Sequence, residues 1–307
     1  MIKKILLIFI SALIFVSCSA SVISPSNNGG NSGSGTEDGG SEGTPWVDIE
    51  PPLMPPVPIL DAEAIKYGID ISQEDNLIKE QIKTKLKEYK QAYGKNKVIF
   101  IGTPKAEYSQ KSSLVNMVLE MAKEIYIQNV TIDISKVYFN ERKIKSSMCR
   151  GGVYVGYFEL SFILPENSIR VIEGNAFSFL NNYLKEVTIP DSVIGIDAAA
   201  FQTSEVLNKI TFTENSQLEY IGDYAFSYAK VNEIVIPASV TSLGRKPFGS
   251  SLTTVTYLGT KPNTIMNNKD VFEDCVNLTT LIIPNAEDPA DPAWKTFLGG
   301  SFNEVRK

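Results

Sequence analysis

The chain has 307 residues, 29 basic and 35 acidic side chains, a net charge of −6, 43% hydrophobic residues and no histidine. Without histidine there are no Ser-His or Cys-His nucleophilic triads, no His-bearing metal sites and no access to the commonest general base. The acidic balance, 13 acids against 8 bases over residues 160–284, argues against a nucleic acid partner, because a phosphate backbone needs a basic face.

Lys3 and Lys4 precede a run from Ile5 to Val16 that is apolar except for Ser11, and Ser17-Cys18-Ser19 comes next. The run is too short for a spanning helix and has the layout of a signal peptide over 1–17. Ser17-Cys18 resembles the lipobox of bacterial lipoproteins, with Phe15 standing where Leu is usual. That resemblance implies acylation of Cys18 and a membrane partner held through the acyl chains; a secreted protein whose cysteine merely lies near the cleavage site is the alternative. Residues 19–45 are almost all Ser, Gly, Asn, Thr and acids, too poor in apolar groups to fold. Pro51, Pro52, Pro55, Pro56 and Pro58 then stiffen the chain into a polyproline-like spacer, so 18–59 reads as a tether.

Over 60–159 the elements are fewer. Ser72-Gln73-Glu74-Asp75 has the form of a capping box, and Ile78, Ile82, Leu86 and Tyr89 mark one face of a helix that stops before Gly94. Val98–Ile101 predicts a buried strand, Leu114 to Ile125 a second helix starting near Ser113, and Val130–Ile134 a second strand. This alternation predicts a small N-terminal α/β cap that merges into the C-terminal half of the chain. The stretch 138–157 shows no period and predicts no element.

From residue 169 one phrase recurs: two apolar residues three apart, a polar stretch, Ala-Phe, a spacer, and a strand often ending in Pro. Its anchors Phe177, Phe201, Phe226, Phe248 and Phe272 are separated by 24, 25, 22 and 24 residues, a solenoid period. Alternation directs Val187, Ile189, Ile210, Ile234, Ile236, Val255 and Leu281 inward. It leaves Thr188, Thr211, Val235, Thr256 and Ile282 on an outer face, one per coil, flanked by Glu186, Lys209, Glu233, Thr254 and Thr280. Those five are the candidate ligand-binding residues, because solenoids use extended faces for recognition and Val235 and Ile282 are apolar where solvent alone favours Thr. Plain strand propensity is the competing explanation for β-branched residues there. Ile163-Leu164-Pro165 matches Ile189-Pro190 and Ile236-Pro237, so a strand-only half unit opens the series. Pro190, Pro237 and Pro284 end strands because proline has no N–H to continue a ladder.

Ile189-Pro190-Asp191-Ser192-Val193 and Ile221-Gly222-Asp223-Tyr224-Ala225-Phe226-Ser227 resemble the BspA-like leucine-rich-repeat family of bacterial surface proteins. The resemblance covers 160–307 and implies an α/β solenoid of right-handed coils and a role in adhesion or protein binding. Pro247 and Val271 stand where Ala is usual, and Asn267 where an apolar residue should open a coil, near the end where repeats are atypical. Cys275, three residues after Phe272, resembles the buried cysteine common there in the family, which favours free thiols over a Cys149–Cys275 bridge. Beyond Pro284, Trp294, Phe297 and Phe302 are expected to close the last coil as a cap. Gly102-Thr103-Pro104 is not a Walker loop, no Gly-x-Gly-x-x-Gly opens a helix, and Asp61 with Glu63 and Glu273 with Asp274 read as solvated charges. The expected protein is a lipid-anchored cell-envelope binding module of the outer membrane or cell surface. It takes an extracellular protein or glycan as ligand, with no cofactor and no metal. An envelope hydrolase or glycan-processing enzyme with its site in 60–159 is the second reading.

Overall fold

A computed structural model describes residues 54–152, 157–181, 183–266 and 270–307. The signal peptide, Cys18, the tether up to residue 53, and Asn267 lie outside these. Met54 to Leu60 has no regular secondary structure, yet Pro55 is buried and Lys136 Nζ donates to Ile59 O at 3.3 Å. The last residues of the spacer thus already lie against the folded part.

The first elements alternate: α1 (Ala62–Tyr67), β1 (Gly68–Asp70), α2 (Asp75–Tyr93), β2 (Lys97–Gly102), α3 (Leu114–Glu124) and β3 (Asn129–Val137). Ile78, Ile82, Leu86 and Tyr89 are buried on one face of α2, and Gly94 ends it in the left-handed region at φ 67°. The capping box does not form. Ser72 donates through its backbone N and its Oγ to Asp70 Oδ1, at 2.9 and 2.7 Å, and Glu74 becomes the N-cap. The nearby carboxylate competes for Ser72 and wins, because hydrogen bonds to an ionised acceptor are the stronger kind. Helix α3 starts after Ser113 as the spacing predicts, and is apolar on nearly all sides because it is covered on more than one.

The segment without a period turns out to be a further coil. β4 (Lys143–Ile144) pairs in parallel with β6 (Val171–Ile172) in register Ile144 to Ile172. Cys149 N donates to Ala176 O at 2.9 Å, as Phe177 N does to Ala200 O and Phe201 N to Ala225 O, both at 2.8 Å. The residue ahead of the anchor pair is left-handed in five coils: Ser147, Asn175, Ala199, Tyr224 and Lys246. Met148-Cys149 therefore takes the place of Ala-Phe. A large side chain followed by a small one exchanges the volumes, which hides the copy from a search for aromatic anchors. This coil also meets the N-terminal region, since Leu114 N at the start of α3 donates to Met148 O at 2.9 Å.

The remaining strands are β5 (Glu159–Ile163), β7 (Glu186–Ile189), β8 (Gly195–Ile196), β9 (Lys209–Phe212), β10 (Tyr220–Ile221), β11 (Glu233–Ile236), β12 (Ser242–Leu243), β13 (Thr254–Tyr257), β14 (Thr280–Ile282) and β15 (Glu304–Arg306). All pairings among the described strands are parallel. One set runs β1-β2-β3-β5, then β7-β9, then β11-β13-β14-β15, and a bridge between Leu160 and Leu184 links the first group to the next coil. The other set, β4-β6-β8-β10-β12, is made of the two-residue strands that hold Ile144, Ile172, Ile196, Ile221 and Leu243, all buried. The half unit is thus β5, and it shares its ladder with β3 of the N-terminal region.

Between the two sets runs the column of phenylalanine rings. Phe177 and Phe201 stack at 4.9 Å, Phe201 and Phe226 at 5.1 Å, and Phe248 and Phe272 at 6.0 Å between centroids. Phe162 closes the column edge-on against Phe177, and Phe302 against Phe272. Pro247 is tolerated in place of Ala because that position must offer a carbonyl to the preceding coil, which it does to Phe226 N at 2.7 Å. At the far end Trp294, Phe297 and Phe302 are all buried, Trp294 and Phe297 packing against Tyr257. Trp294 Nε1 donates to Asp288 O at 2.9 Å, the partner a buried indole requires. Cys149 and Cys275 are both buried and unbridged. They lie five coils apart, about 24 Å at the usual strand spacing, well beyond disulfide reach.

Candidate binding face

Each outward residue is positioned by buried neighbours on its own strand. Val187, Ile189, Ile210, Ile234, Ile236, Val255, Tyr257 and Leu281 are all buried, so Thr188, Thr211, Val235, Thr256 and Ile282 point the other way. Register aligns them: Thr188 opposite Thr211, and Val235, Thr256, Ile282 and Arg306 along one row. The adjoining row sets Glu186 opposite Lys209 and aligns Glu233, Thr254, Thr280 and Glu304. Thr188 is exposed and Val235 is 41% exposed, while Thr211, Thr256 and Ile282 are half-buried. Cys18 is outside the described residues.

Two residues of this face escape the repeat count. Ile163 on β5 is 41% exposed, and its place before Leu164-Pro165 is that of Thr188 before Ile189-Pro190, a signal present in the sequence. Arg306 lies on β15, past the last phenylalanine anchor, where no repeat pattern reaches.

The strand backbones direct their hydrogen bonds to one another, and the face offers rows of methyl groups and threonine hydroxyls with charges along one side. Such a surface suits contact over an area. Three carboxylates of residues 60–159, Asp61, Glu63 and Asp133, are engaged in braces. Asp61 caps α1 by accepting from Ala64 N at 2.8 Å and pairs with Lys136 at 3.2 Å. Glu63 is not a plain solvated charge: it accepts from Lys97 Nζ at 2.7 Å and from the Tyr89 hydroxyl at 2.6 Å. Those two hydrogen bonds, Lys97 first, hold its carboxyl below the usual glutamate value. Lys97 also reaches the buried Asp133 at 2.9 Å. In the coils, burial raises Asp197, whose Oδ1 accepts from the Tyr220 hydroxyl at 2.7 Å. Among the described residues, no three His, Cys, Asp or Glu side chains are grouped to hold a metal ion.

Residues 170–288 match the family profile described as BspA type Leucine rich repeat region, in six copies. No curated protein matches the chain. Among solved structures, the pneumococcal vaccine antigen PcpA is 22% identical over 52% of this chain and 46% of its own, with a TM-score of 0.37. A leucine-rich repeat protein of T. pallidum is 20% identical over 48% of this chain and 72% of its own, at TM-score 0.32. A leucine-rich cell surface protein from Faecalibacterium prausnitzii is 16% identical over 59% and 57%, also at 0.32. The chain spans less than half the length of the pneumococcal antigen.

Proposed function

We propose, for a chain whose residues 170–288 belong to the BspA-type leucine-rich-repeat family, that it is a lipid-anchored surface module binding an extracellular protein on its outer sheet face. The observation that carries this reading is the alignment of Val235, Thr256, Ile282 and Arg306 along one row of a rigid parallel ladder, with Val235 left 41% exposed. Apolar side chains kept on a solvent face reduce solubility and add nothing to the core, so a partner is the simplest reason for them. Such a face is broad and carries both apolar and hydroxyl groups, as protein interfaces do. Acylation of Cys18 by more than one chain would hold the module at the envelope, since each buried methylene contributes about 0.8 kcal/mol and several chains together anchor stably where a single one binds only marginally.

The test has two arms. Val235→Lys with Ile282→Lys should weaken capture of extracellular matrix proteins about tenfold or more, while melting stays within a degree or two of wild type, because outward changes leave the core intact. Retained capture by this double variant would move the binding site elsewhere. Cys18→Ala should shift the protein out of the detergent phase and abolish palmitate labelling, and a variant that still partitions and labels would remove the anchor from the proposal.

A further inference from the structure

Helix α3 ends in a Schellman arrangement, with Ile127 N donating to Ala122 O at 2.9 Å and Tyr126 N to Lys123 O at 3.2 Å. Tyr126 therefore takes the left-handed position, φ 58°, that glycine ordinarily fills. Some left-handed residues within the coils are held by neighbouring coils, as Phe179 is through Gln202 O at 2.9 Å and Ala199 through Asp223 O at 2.8 Å. Tyr126 is held by its own helix end, and it is 92% exposed. A ring there strains the backbone by about 1–2 kcal/mol and buries almost nothing. The fold gives no reason for it.

Tyr126 and Tyr157, the latter 94% exposed, line one groove with a volume of about 960 Å³. That is the upper end of the range for small-molecule sites, about 300–1,000 Å³. Between the tyrosines the lining carries the carboxamides of Asn96, Gln128 and Asn129, with Lys90, Lys185 and Glu159 as its charged groups. Asn96 Nδ2 donates to Asn129 Oδ1 at 2.5 Å, which orients both carboxamides, and Lys185 pairs with Glu159 at 3.1 Å. A smaller hollow of about 400 Å³ shares Asn96, Asn129 and Glu159 and continues to Thr131 and Ser161, whose hydroxyls are 3.0 Å apart. The site is thus elongated.

We propose that this groove binds an oligosaccharide, with sugar rings stacked on Tyr126 and Tyr157 and hydroxyls bonded to the carboxamides. Sugar rings present C–H faces that suit an aromatic ring, and hydroxyls that need donors and acceptors together, which carboxamides supply. An extended peptide cannot add to β3, which is paired on one side with β2 and on the other with β5. The groove lies on β3, β5 and the end of α3, apart from Val235 and Ile282, so this inference and the proposed sheet-face function fail independently.

The test uses the full chain and a panel of cellotetraose, maltotetraose, xylotetraose, mannotetraose and N-acetylchitotetraose, with binding read by saturation-transfer NMR and calorimetry. At least one should bind, and Tyr126→Gly and Tyr157→Ala should each weaken it about tenfold, a loss of about 1.4 kcal/mol. Tyr126→Gly should melt at or above the wild-type temperature, since glycine suits the backbone there, whereas a structural role for the ring predicts a lower one. Val235→Lys with Ile282→Lys should bind the sugar as wild type does. The proposal is overturned if no panel member binds, if binding survives both tyrosine changes, or if a protein occupies the groove and no panel sugar competes with it.

Discussion

Phe226 lies in the ring column with its ring 5.1 Å from that of Phe201 and its side chain 1% exposed, so truncation opens a cavity that neighbouring coils cannot close. Phe226→Ala is expected to cost about 3–5 kcal/mol, read from the denaturant midpoint. No change in that midpoint would put the ring outside the core. Glu63 gives a prediction of a different kind. Its folded pKa is depressed by Lys97 and Tyr89, so its contribution is present above the unfolded value and is lost as pH falls through the folded one. Glu63→Gln should therefore lower stability at neutral pH by about 1 kcal/mol, the upper end for a partly solvated pair. The two melting curves should converge in acid, and a constant offset at all pH values would remove the charge from the explanation. The anchors and their inward neighbours were legible from spacing alone, whereas Glu63 was not, because its partners are 26 and 34 residues away and pairing at that distance depends on the tertiary fold.

At the scale of elements, periodicity located α2, α3, β2 and β3 because each carries a continuous apolar face. It missed α1 and β1, which have 6 and 3 residues and too few positions to show a period. It also missed the coil of Ile144, whose volume-exchanged Met148-Cys149 keeps the backbone pattern without the aromatic signature. The outer face was legible through alternation, and its ends at Ile163 and Arg306 were not counted. The handover from the N-terminal region to the coils takes place at β5, which pairs with β3 over five residues from Glu159 to Ile163. A fragment lacking residues 54–137 would leave β5 as an open edge and uncover the side of the core that α3 now closes. It should elute as aggregate or show little β signal by circular dichroism; a monomeric, cooperatively melting fragment would show that the coils close themselves.

Across the whole molecule, one hydrophobic cluster runs from Ile69 through the ring column to Phe302. Contacts in the coils are made to the coil before and the coil after, and the two described thiols are unbridged and far apart, so no covalent clasp joins them across the stack. That has a mechanical meaning. A module held by its N-terminus and pulled through a partner on its face would bear load along a series of coils, each able to peel from the next. One coil of 24 residues, the spacing of Phe177 and Phe201, releases roughly 80 Å of chain at full extension. Single-molecule stretching should give a sawtooth with steps of about that length, and one abrupt rupture to the full contour would show that the coils yield together. Stepwise yielding would let the chain lengthen under tension and refold when slack, damping the force on the bond it holds.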